Sequence, residues 1–341
     1  MISEESAVAS FSHASSADER GIGGQHARLS LTYDQTGENA PTTLFAKFSH
    51  MDPGVRKEHH DYNVYLREVK FYQELAGQVP LRTPRCYYSD IDMETGECVL
   101  LLEDMSGWRS GNFLAGCSAQ EAELVVRELA KLHAAWWESP QLERLGYAHA
   151  NPDDFQWFKT TFEQSWPRFL ERAGASLSND MTVLSERVAK NIPDVLAQLY
   201  TISPRTLIHC DAHLDNIFFG PTKGESALAF IDWQLYSVGR GVYDIAYFLG
   251  GNLSPEVRRS REMPFLRMYH DLLLKHGVRG YPYETCLDDY RLFLLEGFFR
   301  MVFNVVFFNL TPEQERAHLD VYGARFLQAI LDLDAVNLLP A

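Results

Sequence analysis

At 341 residues the chain is long enough for one large domain or two packed lobes, and its apolar content is ample for a core. A formal net charge of −15 argues against wrapping nucleic acid and against a polybasic membrane contact, so any anion site must be built locally from cations, backbone amides or a metal. The five cysteines (Cys86, Cys98, Cys117, Cys210, Cys286) include no C-x-x-C pair and read as reduced thiols of a cytoplasmic protein.

The opening residues are small and polar, with no basic region followed by an apolar run, so no signal peptide is expected. Gly21-Ile22-Gly23-Gly24 then punctuates the chain. Alternation over Ala27–Tyr33 predicts a half-buried strand, and Thr43–Phe48 a second that completes a hairpin. Glu58 to Ala76 reads as one helix, with Tyr65, Val69, Tyr72 and Leu75 on one face and Glu68 bordering it. Pro80 and Pro84 break the chain before strands near Cys86–Tyr88 and Cys98–Leu102. From Ser118-Ala119-Gln120-Glu121, a capping box, the pattern turns helical, with Ala122, Val125, Leu129, Leu132 and Trp136 on one face. A β-rich island covers Thr206–Phe230, and helices return from Tyr243. The stretch from Leu292 to Leu310 carries Glu296, Arg300 and Asn304 and is too polar for a membrane span. The order implies an α+β plan: a small β-rich N-terminal lobe over residues 1–105 and a larger, mainly helical lobe over 106–341.

The densest chemistry lies in His209-Cys210-Asp211-Ala212-His213-Leu214-Asp215-Asn216, followed by Ile217-Phe218-Phe219 and then Phe230-Ile231-Asp232-Trp233. Phosphoryl transfer needs an alcohol held in line, magnesium on the phosphates and cations against developing charge. A loop carboxylate can accept the alcohol's hydrogen bond, which suits Asp211. The amide of Asn216 and the carboxylate of Asp232 are hard oxygen donors of the kind magnesium prefers.

H-x-D-x-x-x-x-N, an apolar strand and I-D-W resemble the catalytic and metal motifs of aminoglycoside phosphotransferases and choline kinases, relatives of protein kinases. Glu68-Val69-Lys70-Phe71-Tyr72, Leu132-His133-Ala134-Ala135-Trp136-Trp137 and Gln234 are most similar to the ecdysteroid-kinase-like branch. The resemblance implies a protein-kinase-like two-lobed fold and transfer of the γ-phosphoryl of ATP, or GTP, to a small-molecule alcohol. Within it, Asp211 is the catalytic base, while Asn216 and Asp232 hold Mg2+. Lys47 resembles the strand lysine on the phosphates, and Glu68 the helix glutamate that orients it. Leu102, Glu103, Asp104 and Met105 resemble the hinge that holds adenine. Gly23 and Gly24 stand where a phosphate loop would be, although no G-x-G-x-x-G is present. His209 is expected to support the loop structurally, and Asp244, in Gly239-Arg240-Gly241-Val242-Tyr243-Asp244, to brace it.

Taken singly, most of these residues have a plainer reading. A strand lysine or helix glutamate is usually a solvated charge. His133 reads as a core histidine with satisfied hydrogen bonds, and the Glu296, Arg300, Asn304 stripe as an internal ion pair or a pocket wall. Two rival functions stay open. One is a metallohydrolase built on the alternation of His209, Asp211 and His213, completed by Asp215 and Asp232. The other is a nucleotide-binding pseudokinase without turnover.

Overall fold

The computed structural model describes residues 7–15, 24–35, 40–173, 179–220, 228–307, 313, 316 and 318–339. The chain divides into two compact units, Met1–Arg109 with Phe218–Leu235, and Ser110–Ile217 with Tyr236–Ala341.

In the first unit, β1 (Val8–Ser15), β2 (Gly24–Tyr33), β3 (Thr43–Ser49), β4 (Cys86–Ile91) and β5 (Cys98–Glu103) form an antiparallel sheet of order β1-β2-β3-β5-β4. Strand β1 was not expected from its small, polar sequence. Its residues from Val8 to Ala14 are exposed, so it is held by its ladder to β2 and has no buried face there to impose an apolar alternation. The register sets Lys47 opposite His26 on β2 and Leu100 on β5, which places the three on one face of the sheet.

The helix expected over Glu58–Ala76 is interrupted. It comprises α1 (Pro53–Asp61), α2 (Val64–Lys70) and a π-helical turn over Phe71–Leu75. The break is at Asn63, whose φ of 58° lies in the left-handed region that asparagine tolerates better than most residues. Asp52 opens α1, its Oδ1 accepting the Gly54 and Val55 amides. Tyr65, Val69, Tyr72 and Leu75 are buried as their spacing predicts.

The chain passes out of the first unit at the two-residue strand β6 (Arg109–Ser110). Then come α3 (Ala119–Ala135), α4 (Asp153–Ala173), α5 (Asn179–Tyr200), β7 (Thr206–Ile208), β8 (Ile217–Phe219), β9 (Leu228–Phe230) and β10 (Ser237–Gly239). The chain ends in α6 (Val242–Asn252), α7 (Pro255–Lys275), α8 (Tyr283–Phe307) and α9 (Ala324–Asp332). The Ser118 capping box is formed with Glu121, and all five apolar residues of the predicted face of α3 are buried. β7 pairs with β10, and β9 belongs to the first unit, where the Phe230 amide donates to the Arg82 carbonyl. α6 is buried along its whole length, and a β-carbon on Gly297 of α8 would lie 2.2 Å from the Phe326 ring of α9, so that contact admits only glycine. Among the described residues no helix is long and apolar enough to cross a membrane.

Candidate active site

In the first unit the side chain of Lys47 projects from β3 to a helix carboxylate and a loop carboxylate. Its Nζ lies 2.6 Å from Glu68 Oε1 on α2 and 2.9 Å from Asp232 Oδ1, just past β9. Burial alone would lower the lysine's pKa, but the charges of Asp232 and Glu68 outweigh it and hold the ammonium protonated well above its ordinary range. Burial pushes the Glu68 carboxyl up, and Lys47 pulls it back. Asp232 takes a φ of 63°, and its Oδ2 accepts from Gln234 Nε2 at 3.3 Å. The next residue, Trp233, is fully buried, stacks on Phe71 at 3.9 Å between centroids, and donates its indole N–H to the Phe230 carbonyl. Phe71 directly follows α2, so one aromatic stack locks the helix carrying Glu68 to the loop carrying Asp232. His26, which the motifs did not single out, faces the same cluster; its pKa is lowered by burial and then by Lys47, with Asp232 opposing.

The expected hinge residues lie at the end of β5 and just after it. Leu102 and Met105 are buried, the Glu103 carboxylate is bound by Arg82 Nη2 at 2.6 Å, and Asp104 pairs with Arg28 at 3.1 Å. The Glu103 amide donates to the Arg85 carbonyl, and the Met105 carbonyl accepts the Trp108 amide. Gly24 begins β2, where a β-carbon would come within 2.3 Å of the Phe48 carbonyl oxygen. Close backbone packing therefore accounts for this glycine. Gly23 lies outside the described residues.

In the second unit, the loop after β7 carries His209 to Asn216. Asp244 on α6, fully buried, accepts the His209 amide on Oδ2 at 2.8 Å and the Cys210 amide on Oδ1 at 3.0 Å. Its Oδ2 also faces His133 Nε2 at 3.1 Å, and His133 Nδ1 lies 3.0 Å from the Tyr269 hydroxyl, so His133 is a core histidine with both nitrogens engaged. His209 is buried as well, its Nδ1 accepting the Asp211 amide at 3.3 Å. Asn216 Nδ2 reaches the Asp211 carbonyl at 3.0 Å and Asp211 Oδ2 at 3.2 Å, which turns its amide oxygen away from that carboxylate.

Two partners of Asp211 lie far along the chain, where motif reading gave them no catalytic place. The Tyr247 hydroxyl on α6 donates to Oδ1 at 3.0 Å, and Arg300 Nη1 on α8 lies 3.9 Å from the same oxygen. Arg300 pairs with Glu296 at 3.1 Å, the internal ion pair expected of that stripe; the Asn304 side chain lies outside the described residues. Burial would raise the Asp211 pKa, but His213, then Arg300 and His209, hold it well below the usual carboxylate range. The helical spacing of Tyr243, Tyr247, Glu296 and Arg300 showed which faces they share, but not that those faces meet this loop.

Asn216, in the second unit, carries an amide oxygen and Asp232, in the first, a carboxylate, each by itself a hard donor of the kind magnesium accepts. Among the described residues no three His, Cys, Asp or Glu side chains come together as a metal centre. His209, the first ligand of the hydrolase rival, is buried with Nδ1 engaged in the loop backbone.

Comparison with known proteins follows the same line. The model of the ecdysteroid kinase-like family matches residues 23–278. Human acyl-CoA dehydrogenase family member 11 is 29% identical over 188 residues, 53% of this chain; the chain spans only 22% of that relative's length. A microcompartment-associated aminopropanol kinase superposes with a TM-score of 0.59 at 15% identity, over 96% of this chain and 94% of the other. The GDP complex of an aminoglycoside 2'-phosphotransferase IIIa variant gives a TM-score of 0.54 at 14% identity, over 97% and 93%. The fold is thus the two-lobed α+β fold of these kinases, as the motifs implied.

Proposed function

The chain belongs to the ecdysteroid kinase-like family, and from that premise we propose that it is a small-molecule kinase, moving the γ-phosphoryl of ATP or GTP to an alcohol. The observation that carries the reading is the Lys47 ammonium held between Glu68 and Asp232. An isolated structural lysine needs one counter-ion. A lysine kept protonated by two acids, one on a helix and one on a loop at positive φ, is built to meet phosphate oxygens. The GDP complex known for a neighbour of the same fold supports nucleotide binding.

In this mechanism Lys47 neutralises the phosphates and Glu68 orients it. Asn216 and Asp232 are the proposed magnesium ligands, and the ion, when bound, supplies charge neutralisation on the phosphate chain. The Asp211 carboxylate stays ionised and accepts the hydrogen bond of the acceptor hydroxyl. The acceptor oxygen bonds to the γ-phosphorus as the bond to the β,γ-bridging oxygen breaks, and that electron pair leaves with the nucleoside diphosphate. The carboxylate aims the hydroxyl and takes its proton as the new O–P bond forms, which matches the loose transition state of this chemistry.

Calorimetric titration of MgATP into the wild type and into Asp232→Asn tests the reading; asparagine tolerates the positive φ, so the backbone is preserved. Magnesium-dependent binding by the wild type, weakened about tenfold or more in the variant, is expected. Absence of wild-type binding to both ATP and GTP would overturn the proposal. Asp211→Asn should bind MgATP like the wild type yet release no product. Binding without turnover over a broad alcohol panel in the wild type itself would instead identify a pseudokinase.

A further inference from the structure

Arg300 has no role in the motifs, yet it touches the backbone of the catalytic loop. We propose that it is a positioning residue for Asp211, acting through the peptide that joins Cys210 to Asp211; the proposal rests on the kinase reading above.

Cys210 takes a φ of 66°, a conformation that residues with a β-carbon keep only when the surroundings hold the chain on both sides. On the N-terminal side Asp244 does so, accepting the His209 and Cys210 amides. On the C-terminal side the Cys210 carbonyl accepts from Arg300 Nη1 at 2.8 Å. The Tyr243 hydroxyl is also near that carbonyl, at 3.4 Å, but lies closer to Glu296 Oε2, at 2.7 Å, and has one proton to give. Arg300 is therefore the main donor to the carbonyl. The N–H of the same peptide unit belongs to Asp211 and donates to His209 Nδ1. The plane of that peptide is thus pinned at its oxygen by Arg300 and at its nitrogen by His209, and it sets where the Asp211 side chain starts.

The guanidinium is itself fixed. Its Nη2 and Nε lie 3.1 and 3.3 Å from Glu296 Oε1, and it sits over the Tyr247 ring at 5.2 Å, beside the hydroxyl that binds Asp211. A Glu–Arg pair confined to one helix would only neutralise the buried Glu296 carboxylate. Reaching the Cys210 carbonyl makes it a tie between α8 and the loop.

The test compares ADP release from MgATP, with water as acceptor, and melting temperature in wild type, Arg300→Met, Arg300→Lys, Cys210→Gly and the Cys210→Gly/Arg300→Met double variant. Arg300→Met should lower kcat about tenfold or more while KM for MgATP stays within about threefold, with Arg300→Lys intermediate. Glycine reaches positive φ unaided, so the double variant should turn over about fivefold faster than Arg300→Met. An Arg300→Met kcat within about twofold of wild type overturns the proposal, and so does a double variant no faster than Arg300→Met. If Arg300→Met does not fold, Arg300→Lys alone and combined with Cys210→Gly decides by the same criteria. A wild type that neither binds MgATP nor releases ADP removes the kinase reading and this role with it. Wild-type turnover beside an indifferent Arg300→Met removes the positioning role alone.

Discussion

The Lys47 cluster places a cation and two acids where water has little access, with side-chain exposures of 16% for Lys47, 5% for Glu68 and 24% for Asp232. Removing the cation leaves carboxylates without a counter-charge, which is costlier than removing a whole pair. Lys47→Met should therefore destabilise the fold by about 3 kcal/mol, and Lys47→Met with Glu68→Gln by clearly less, because the second change removes a stranded buried charge. Urea unfolding midpoints check this; a double variant as unstable as the sum of the singles would show that the two residues do not interact. The folded lysine pKa is raised above its ordinary 10.5, so its stabilisation is complete below that value and lost only as pH rises through the folded pKa. Lys47→Met leaves Glu68 and Asp232 without their counter-charge and so raises their proton affinity, and the difference between wild type and Lys47→Met should therefore shrink as pH falls. At this scale the sequence was informative about identity and silent about conformation. The pairing of Lys47 with Glu68, and the placing of Asp211 and Asn216 on one loop, were legible from order and spacing. The positive φ of Cys210 was not, because a cysteine does not advertise a left-handed backbone, and that of Asp232 was only faintly so, since aspartate is enriched there but far more often extended or helical.

Elements were legible where burial imposes a period. The face of α3 and the apolar positions of α2 were read correctly, since each buries a stripe. β1 left no such trace because its residues from Val8 to Ala14 are exposed on both faces, and the break at Asn63 was hidden because α1, which buries no residue, has no apolar period whose phase could differ from that of α2. The start of α3 was marked by chemistry as well as by period. Ser118 Oγ accepts the Glu121 amide at 3.3 Å, and Glu121 Oε2 accepts the Ser118 amide at 2.9 Å. Ser118→Ala should cost about 1 kcal/mol, and Ser118→Gly only a few tenths, since glycine is itself an acceptable N-cap. Equal losses in thermal unfolding would mean that the cap contributes through something other than these hydrogen bonds.

At the scale of the whole molecule, chain order conceals that Phe218–Leu235 groups with the N-terminal residues. Its strand signal is short: β9 has three residues, all buried, and a run of that length carries no period. Yet this segment brings Asp232 to Lys47, stacks Trp233 on Phe71 and lends the Phe230 amide to Arg82. A fragment ending at Arg109 keeps the five-stranded sheet but loses all three contacts. Loss of a buried tryptophan alone costs roughly 3–5 kcal/mol, a large part of the stability of a domain this small. Met1–Arg109 should therefore show no cooperative melting by circular dichroism, whereas the same fragment joined by a flexible Gly/Ser linker to Phe218–Leu235 should melt cooperatively. The return of the segment should also restore protection of the Lys47 region in hydrogen exchange, because Asp232 closes the cluster from the far end of the sequence. A cooperative transition in Met1–Arg109 alone, at the temperature of the linked form, would mean that the N-terminal sheet is self-sufficient and that the Asp232 carboxylate is an addition to it, not part of its core.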